Sequence, residues 1–307
     1  MKNDIKENQR TAIFNLIDRL SSPSYIVESL KSCGFSFKKR FGQHFLINRN
    51  LLERLVEWSE LGENDVVIEV GPGIGVLTVY LSLYSKQVIS IEIDGGFYRY
   101  LSNLLSEYGI KNVELLNADF MEICRGKVGG LDLIQGANKM VSNFPYSISN
   151  RAILETILYL DNVQLIVGMV QHESAERISA RPGTKDYSVL SVIVQIASEI
   201  EVLKKSISPG NFFPQPAVRS AIIRLVKKKK IDRSTLIGFA DFVKTAFSQR
   251  RKGIIKNILA GFYVDEDKLK KAIVKVSGRI NTRAEELPPQ VLFTLYSELR
   301  GILDKRN

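Results

Sequence analysis

The chain has 307 residues, 45% hydrophobic and 25% charged, which is enough for one large globular domain and a smaller one. No apolar run approaches membrane-spanning length, and residues 1–10 are charged and polar, without the apolar core of a secretion signal. A cytoplasmic protein with no membrane partner is expected. Two distant cysteines, Cys33 and Cys124, and two histidines, His44 and His172, give neither a disulfide framework nor a Cys/His zinc site, so no metal is expected. The net charge of +10 is unevenly spread: residues 204–307 carry 23 Lys and Arg against 9 Asp and Glu, whereas residues 1–203 carry 20 against 24. The run Lys227 to Lys230 alone would pass for a solvated face. An excess on the scale of a whole domain points to a polyanion, nucleic acid first.

In chain order, Ile13, Phe14, Leu16, Ile17 and Leu20 recur at helical spacing, and Ser22-Pro23 supplies an N-cap and first-turn proline for a second helix stopping at Gly34. Residues 1–37 are expected as an accessory helical segment. From Asp65 onward strands and helices alternate: strands over 66–70, 87–91, 113–117, 139–142 and 165–170, with helices over 76–84, 96–108, after Tyr146 and from Glu173. Such alternation predicts a parallel, doubly wound sheet. Segments 200–205 and 221–226 then read as two strands whose Pro/Gly-rich connection leaves no room for a crossover helix, so they are expected to pair antiparallel. Residues 38–230 would form this domain. Helical periodicity over 234–248, 252–259, 266–276 and 290–303 predicts a separate basic domain over 231–307.

Glu69-Val70-Gly71-Pro72-Gly73-Ile74-Gly75 lies between the first strand and its helix, where glycines let the backbone approach a ligand. A dinucleotide loop has G-x-G-x-x-G; here the third glycine comes one residue early, as in methyltransferases, whose cofactor has no pyrophosphate to cradle. Glu92, ending the second strand, can accept bonds from ribose hydroxyls, and Asp119, after the third, from an adenine amino group. These signals at successive strand ends converge on one crevice.

Asn143-Phe144-Pro145-Tyr146 closes the fourth strand and opens a helix. An adenine amine is a poor nucleophile because its lone pair is delocalised into the ring. An amide oxygen and a backbone carbonyl can accept its two N–H bonds and aim the lone pair at a methyl donor. Pro145 fixes the turn, and Tyr146 offers a face for stacking. In isolation the tetrapeptide would equally suit a turn that merely ends a strand; the strand-end signals decide for a site.

Read with Phe41-Gly42-Gln43-His44-Phe45-Leu46, this set resembles the ribosomal RNA adenine dimethyltransferases, which include the small-subunit enzymes whose loss gives kasugamycin resistance and the related erythromycin-resistance methylases. The resemblance runs from about Phe35 to the C-terminus. It implies a class I methyltransferase, an α/β Rossmann-like, mostly parallel sheet ending in an antiparallel hairpin, with a smaller C-terminal helical domain. It also implies S-adenosylmethionine as cofactor, held by His44, Leu46, Gly71, Glu92, Asp119 and Asn143. Phe212-Phe213-Pro214-Gln215-Pro216-Ala217-Val218, Ala246-Phe247-Ser248-Gln249-Arg250-Arg251-Lys252 and Arg283-Ala284-Glu285-Glu286-Leu287 resemble the small-subunit branch, and imply that Arg250, Arg251 and Lys252 face RNA phosphate. His44 stands where many bacterial members have Asn, Phe144 where Leu is usual, Arg219 where an Asp often follows, and Gly253 in place of a common Thr.

The implied activity is N6,N6-dimethylation of adjacent adenines in small-subunit ribosomal RNA, on the immature small subunit, by a monomer. Asn143 and the Phe144 carbonyl would hold the amine, Tyr146 would cover one face of the base and Phe212 the other face or wall. Large-subunit methylation conferring resistance, DNA adenine methylation and a ribosome-assembly factor acting mainly by binding are the alternatives. The extended C-terminal domain weighs against the first two, and the intact cofactor and turn signals against the third.

Overall fold

The structure, a computed structural model, describes residues 2–32, 44–228 and 231–306. Cys33, Gly34, Phe35, Phe41, Gly42, Gln43, Lys229 and Lys230 lie outside the described residues. The first strand, β1 (Val66–Val70), has four of its five residues buried, as a parallel strand covered on both faces requires. It is followed by β2 (Gln87–Ile91), β3 (Val113–Leu116), β4 (Lys139–Asn143), β5 (Leu165–Gln171), β6 (Ser198–Ile207) and β7 (Ser220–Lys227). Their order in the sheet is β3-β2-β1-β4-β5-β7-β6. Strands β1 to β5 run parallel, and β7 runs antiparallel to β5. The expected parallel sheet with a reversed end is therefore present, and β6 and β7 are neighbours at one edge.

Helices α1 (Lys2–Leu20), α2 (Pro23–Ser32), α3 (Arg49–Glu57), α4 (Val76–Ser82), α5 (Gly95–Glu107), α6 (Phe120–Cys124), α7 (Leu131–Gln135), α8 (Ser149–Tyr159) and α9 (His172–Ile178) accompany the first five strands. Further on come α10 (Val189–Ala197), α11 (Arg233–Ala246), α12 (Ile254–Gly261), α13 (Glu266–Ser277) and α14 (Pro289–Leu299). Among the described residues no helix is long and apolar enough to cross a membrane. Cys124 is a free, buried thiol.

The chain divides into two compact units, residues 1–175 with 201–226, and residues 176–200 with 227–307. These boundaries differ from the expected ones in two places. The N-terminal segment belongs to the first unit, because α1 packs on α4 and Leu16, Ile17, Leu20, Ile26 and Leu30 lie in its core. Burying each such side chain is worth about 1.5–3 kcal/mol before the cost of ordering it. Residues 176–200 belong to the second unit, because α10, most of whose residues are buried and apolar, packs on α11 and α14. With these boundaries the charge separates cleanly: the second unit has 22 Lys and Arg against 12 Asp and Glu, and the first has 21 of each.

Candidate active site

The strand order reverses between β1 and β4, and there the strand ends open into a pocket. Its walls come from the loops after β1, β2, β3 and β4 and from residues 44–46. His44, Leu46, Gly71, Glu92, Asp119, Asn143, Phe144 and Tyr146 all line it, although they are scattered over about a hundred positions of sequence.

In the loop after β1, Gly71, Gly73 and Gly75 have φ of 72°, 57° and 88°, a region that favours glycine. Space demands it as well. A Cβ on Gly71 would stand 2.5 Å from Pro145 Cγ, and one on Gly73 2.8 Å from Phe45 Cε1. The missing side chain at Gly71 thus lets the glycine loop and the Asn-x-Pro-Tyr turn touch.

Glu92 is buried and receives the N–H groups of Gly73 at 3.1 Å and Asp94 at 2.9 Å, one on each carboxylate oxygen. Burial raises its pKa, and these backbone donors oppose the shift. The carboxylate thereby ties the glycine loop to the end of β2 while lining the pocket, placed to accept hydroxyl groups. Asp119 caps α6, accepting from Met121 N–H at 2.8 Å through Oδ1.

Two pocket residues have no role assigned by the sequence: Glu69, which opens the glycine motif, and Ile93. Glu69, 1% exposed, accepts from Thr78 and Ser90 hydroxyls at 2.6 and 2.8 Å on one oxygen. Burial pushes its pKa up to about 7 against those hydrogen bonds, so it holds a proton well above the usual carboxylate range. Ile93 is 62% exposed on the pocket wall, an apolar surface suited to a flat ring. The signal was a lone aliphatic residue between Glu92 and Asp94 beyond the buried end of a strand.

The Asn143 to Tyr146 turn is fixed on several sides. Asn143 Nδ2 donates to the His44 carbonyl at 3.1 Å, which orients the amide and leaves Oδ1 as its acceptor end. Phe144 continues the ladder, donating its N–H to Met169 O at 3.1 Å, and its ring is fully buried over Gly168. Any part it plays with a ligand falls to its backbone. The Pro145 carbonyl receives the N–H groups of Ile148 and Ser149 at 3.0 and 3.1 Å, starting α8. The Tyr146 hydroxyl bonds to Ser220 Oγ, and burial raises its pKa.

One expectation needs correction. Phe212 does not line the pocket. It is 1% exposed and packed into the core, opposite Leu46 in a short antiparallel ribbon that pairs Phe45–Leu46 with Phe212–Phe213. Its neighbour Phe213 is only partly buried. Arg250 is also already engaged: its guanidinium donates to Glu285 at 2.6 Å, to the Lys185 carbonyl at 2.7 Å and to the Thr184 carbonyl at 3.2 Å. It anchors the 184–185 loop within the second unit while its side chain stays 43% exposed, and Arg251 and Lys252 are likewise exposed in the turn between α11 and α12. No cluster of metal-ligating side chains occurs among the described residues.

The sheet order, with its reversed β7, the glycine loop and the acidic strand ends define a class I methyltransferase. The model of the ribosomal RNA adenine dimethylase family matches residues 34–300. The chain is 35% identical over 286 residues to a ribosomal RNA small subunit methyltransferase A of Bacillus thuringiensis (strain Al Hakam), covering 91% of this chain and 97% of that one. It is equally similar to the protein of that name from Bacillus cereus (strain B4264). Among solved structures, a dimethyladenosine transferase from Plasmodium falciparum shares the fold with a TM-score of 0.70 at 24% identity, covering 85% of this chain and 99% of that one. The 23S rRNA methyltransferase ErmE gives a TM-score of 0.57 at 25% identity, with coverage of 83% and 99%. The chain belongs to the ribosomal RNA adenine dimethylase family.

Proposed function

We propose that the protein transfers methyl groups from S-adenosylmethionine to the exocyclic N6 of adjacent adenines in small-subunit ribosomal RNA, two to each nitrogen. The observation that carries this is the Asn143 amide: with Nδ2 committed to the His44 carbonyl, Oδ1 is the end left to accept an amine N–H at the pocket. Glu92, Asp119, Gly71, Leu46 and His44 are the residues proposed to hold the cofactor, and the glycine cradle and the acceptor oxygens at the strand ends suit its ribose and adenine. Bound S-adenosylmethionine supplies an electrophilic sulfonium methyl. Asn143 Oδ1 and the Phe144 carbonyl accept the two amine N–H bonds and direct the nitrogen lone pair, while Tyr146 covers one face of the base. Phe212, buried as it is, takes no part as the second face. No strong base is required, since the nitrogen sheds its proton readily once alkylated, so positioning and electrostatics carry the rate. The target adenine must be unpaired or flipped out to enter.

The test is to incubate the protein with labelled S-adenosylmethionine and separated, unmodified small and large ribosomal subunits. Label is expected as N6,N6-dimethyladenosine in the small-subunit RNA. Label confined to large-subunit RNA would favour the resistance-methylase alternative, and binding to small subunits without label would favour the assembly-factor alternative.

The second unit, with its balance of +10, is proposed to supply most of the salt-dependent affinity for RNA through exposed residues such as Arg251 and Lys252. Replacing both with Ala should lower the slope of log affinity against log salt by about 0.7–0.9 per lost phosphate contact, with cofactor affinity unchanged. Arg250→Ala should instead lower the melting temperature, because it leaves two loop carbonyls and Glu285 without their donor. An unaltered slope in the double variant marks that turn as a solvated surface.

A further inference from the structure

Tyr146 can serve as a stacking surface for the acceptor base only if its ring is held still. A free tyrosine at a pocket mouth would lose side-chain freedom each time a base docked, and holding one such side chain in place beforehand is worth up to about tenfold. The structure places two partners on Tyr146 from separate parts of the chain. At its tip, the hydroxyl makes a short hydrogen bond to Ser220 Oγ. Ser220 is fully buried, and its position is set by the β5–β7 ladder, where it lies opposite Gln171. At its ring, Tyr146 meets the His44 imidazole with centroids 5.4 Å apart and planes inclined by 34°, within the range of favourable ring pairs.

His44 is itself fixed. Its Nδ1 lies 2.7 Å from the Pro214 carbonyl oxygen. A carbonyl can only accept, so Nδ1 carries the hydrogen and the imidazole cannot rotate without losing that bond. The ribbon register, with Phe45 opposite Phe213, makes His44 and Pro214 the next pair along. The His44 carbonyl also receives Asn143 Nδ2. One residue thus joins the amide that orients the amine to the ring beneath the base.

We propose that Ser220 and His44 are positioning residues that clamp Tyr146 in one orientation, making its ring a preset platform for the acceptor base. The proposal rests on the base-methylation reading above. The Tyr146 hydroxyl then serves as an anchor toward the protein and is not offered to substrate, and the side chain of His44 acts on the base side of the pocket through Tyr146.

Ser220→Ala should lower kcat for small-subunit methylation by about five- to tenfold, with calorimetric affinity for S-adenosylmethionine unchanged. Ser220→Thr, which keeps the hydroxyl, should recover most of the loss. In a Tyr146→Phe background, Ser220→Ala should add almost nothing, because the bond is already gone. An activity-independent readout comes from 3-fluorotyrosine labelling, the Tyr146 resonance being the one lost in Tyr146→Phe. That resonance should be narrow in the wild type and should shift and broaden in both Ser220→Ala and His44→Ala. Wild-type kcat in Ser220→Ala, an undiminished second loss in the Tyr146→Phe background, or an unchanged fluorine resonance overturns the clamp. A wild-type protein that labels neither subunit fails the functional reading instead, and the fluorine spectra then decide the clamp alone.

Discussion

Asn143→Ala is expected to reduce methyl transfer about a hundredfold while the protein stays folded. The substitution removes the Oδ1 acceptor, whose bond to the amine strengthens as the nitrogen becomes tetrahedral. A preorganised bond of this kind is worth roughly 3 kcal/mol in the transition state. It also removes the Nδ2 bond to the His44 carbonyl, an uncharged contact worth about 1 kcal/mol to stability. Asn143 is only partly buried at the end of β4, so truncation opens no large core cavity. Single-turnover transfer from labelled cofactor, with thermal melting and calorimetry on the same preparation, separates these effects. Transfer within a few-fold of wild type would show that the amide does not orient the amine.

The second large effect is expected at a residue that touches no ligand. Gly168 sits mid-strand in β5, paired with Ser142 of β4, and a Cβ there would stand 2.3 Å from Phe144 Cε2 and 2.7 Å from Cδ2. Phe144 is 1% exposed, so its ring has nowhere to swing. Gly168→Ala should therefore destabilise the fold by about 1–3 kcal/mol through overpacking, lowering the melting temperature by several degrees. The same clash pushes on the backbone of the Asn-x-Pro-Tyr turn, so activity should fall by more than the loss of folded protein explains. Gly168→Ala combined with Phe144→Leu, which removes ring atoms from the crowded spot, should regain both stability and activity. A single variant that melts like the wild type would mean that the ring relocates at little cost.

These two positions mark the boundary of what was legible in the primary structure. Alternating apolar strands and periodic helices predicted the sheet because burial on both faces imposes unbroken aliphatic runs, and β1 and β2 fall on their expected residues. The glycine loop was legible for a local reason: three closely spaced positive-φ positions leave a compositional mark. Helix α3 is hard to read in sequence despite its Asn48 cap, and so is α10, because its polar residues, Ser191 and Gln195, are turned onto backbone carbonyls inside an otherwise buried apolar run. The five-residue helices α6 and α7 are too short for any periodic signal.

Side-chain commitments are the other side of that boundary. Phe212 and Phe213 are equivalent in sequence, and consecutive strand residues face opposite ways, so only the pairing of that ribbon with Phe45–Leu46 decided which ring entered the core. Arg250 brought charge to its turn as Arg251 did, yet the partners that engage it come from residues 65 positions upstream and 35 downstream. By itself the sequence determined the sheet, the motifs that converge on the crevice and the concentration of charge toward the C-terminus, because each follows from local periodicity, local backbone geometry or composition. Tertiary structure alone decided that Gly168 makes room for Phe144, that Ser220 and His44 meet Tyr146, and that residues 176–200 join the basic unit. Each of those depends on contacts between segments far apart in the chain, whose partners no local pattern specifies.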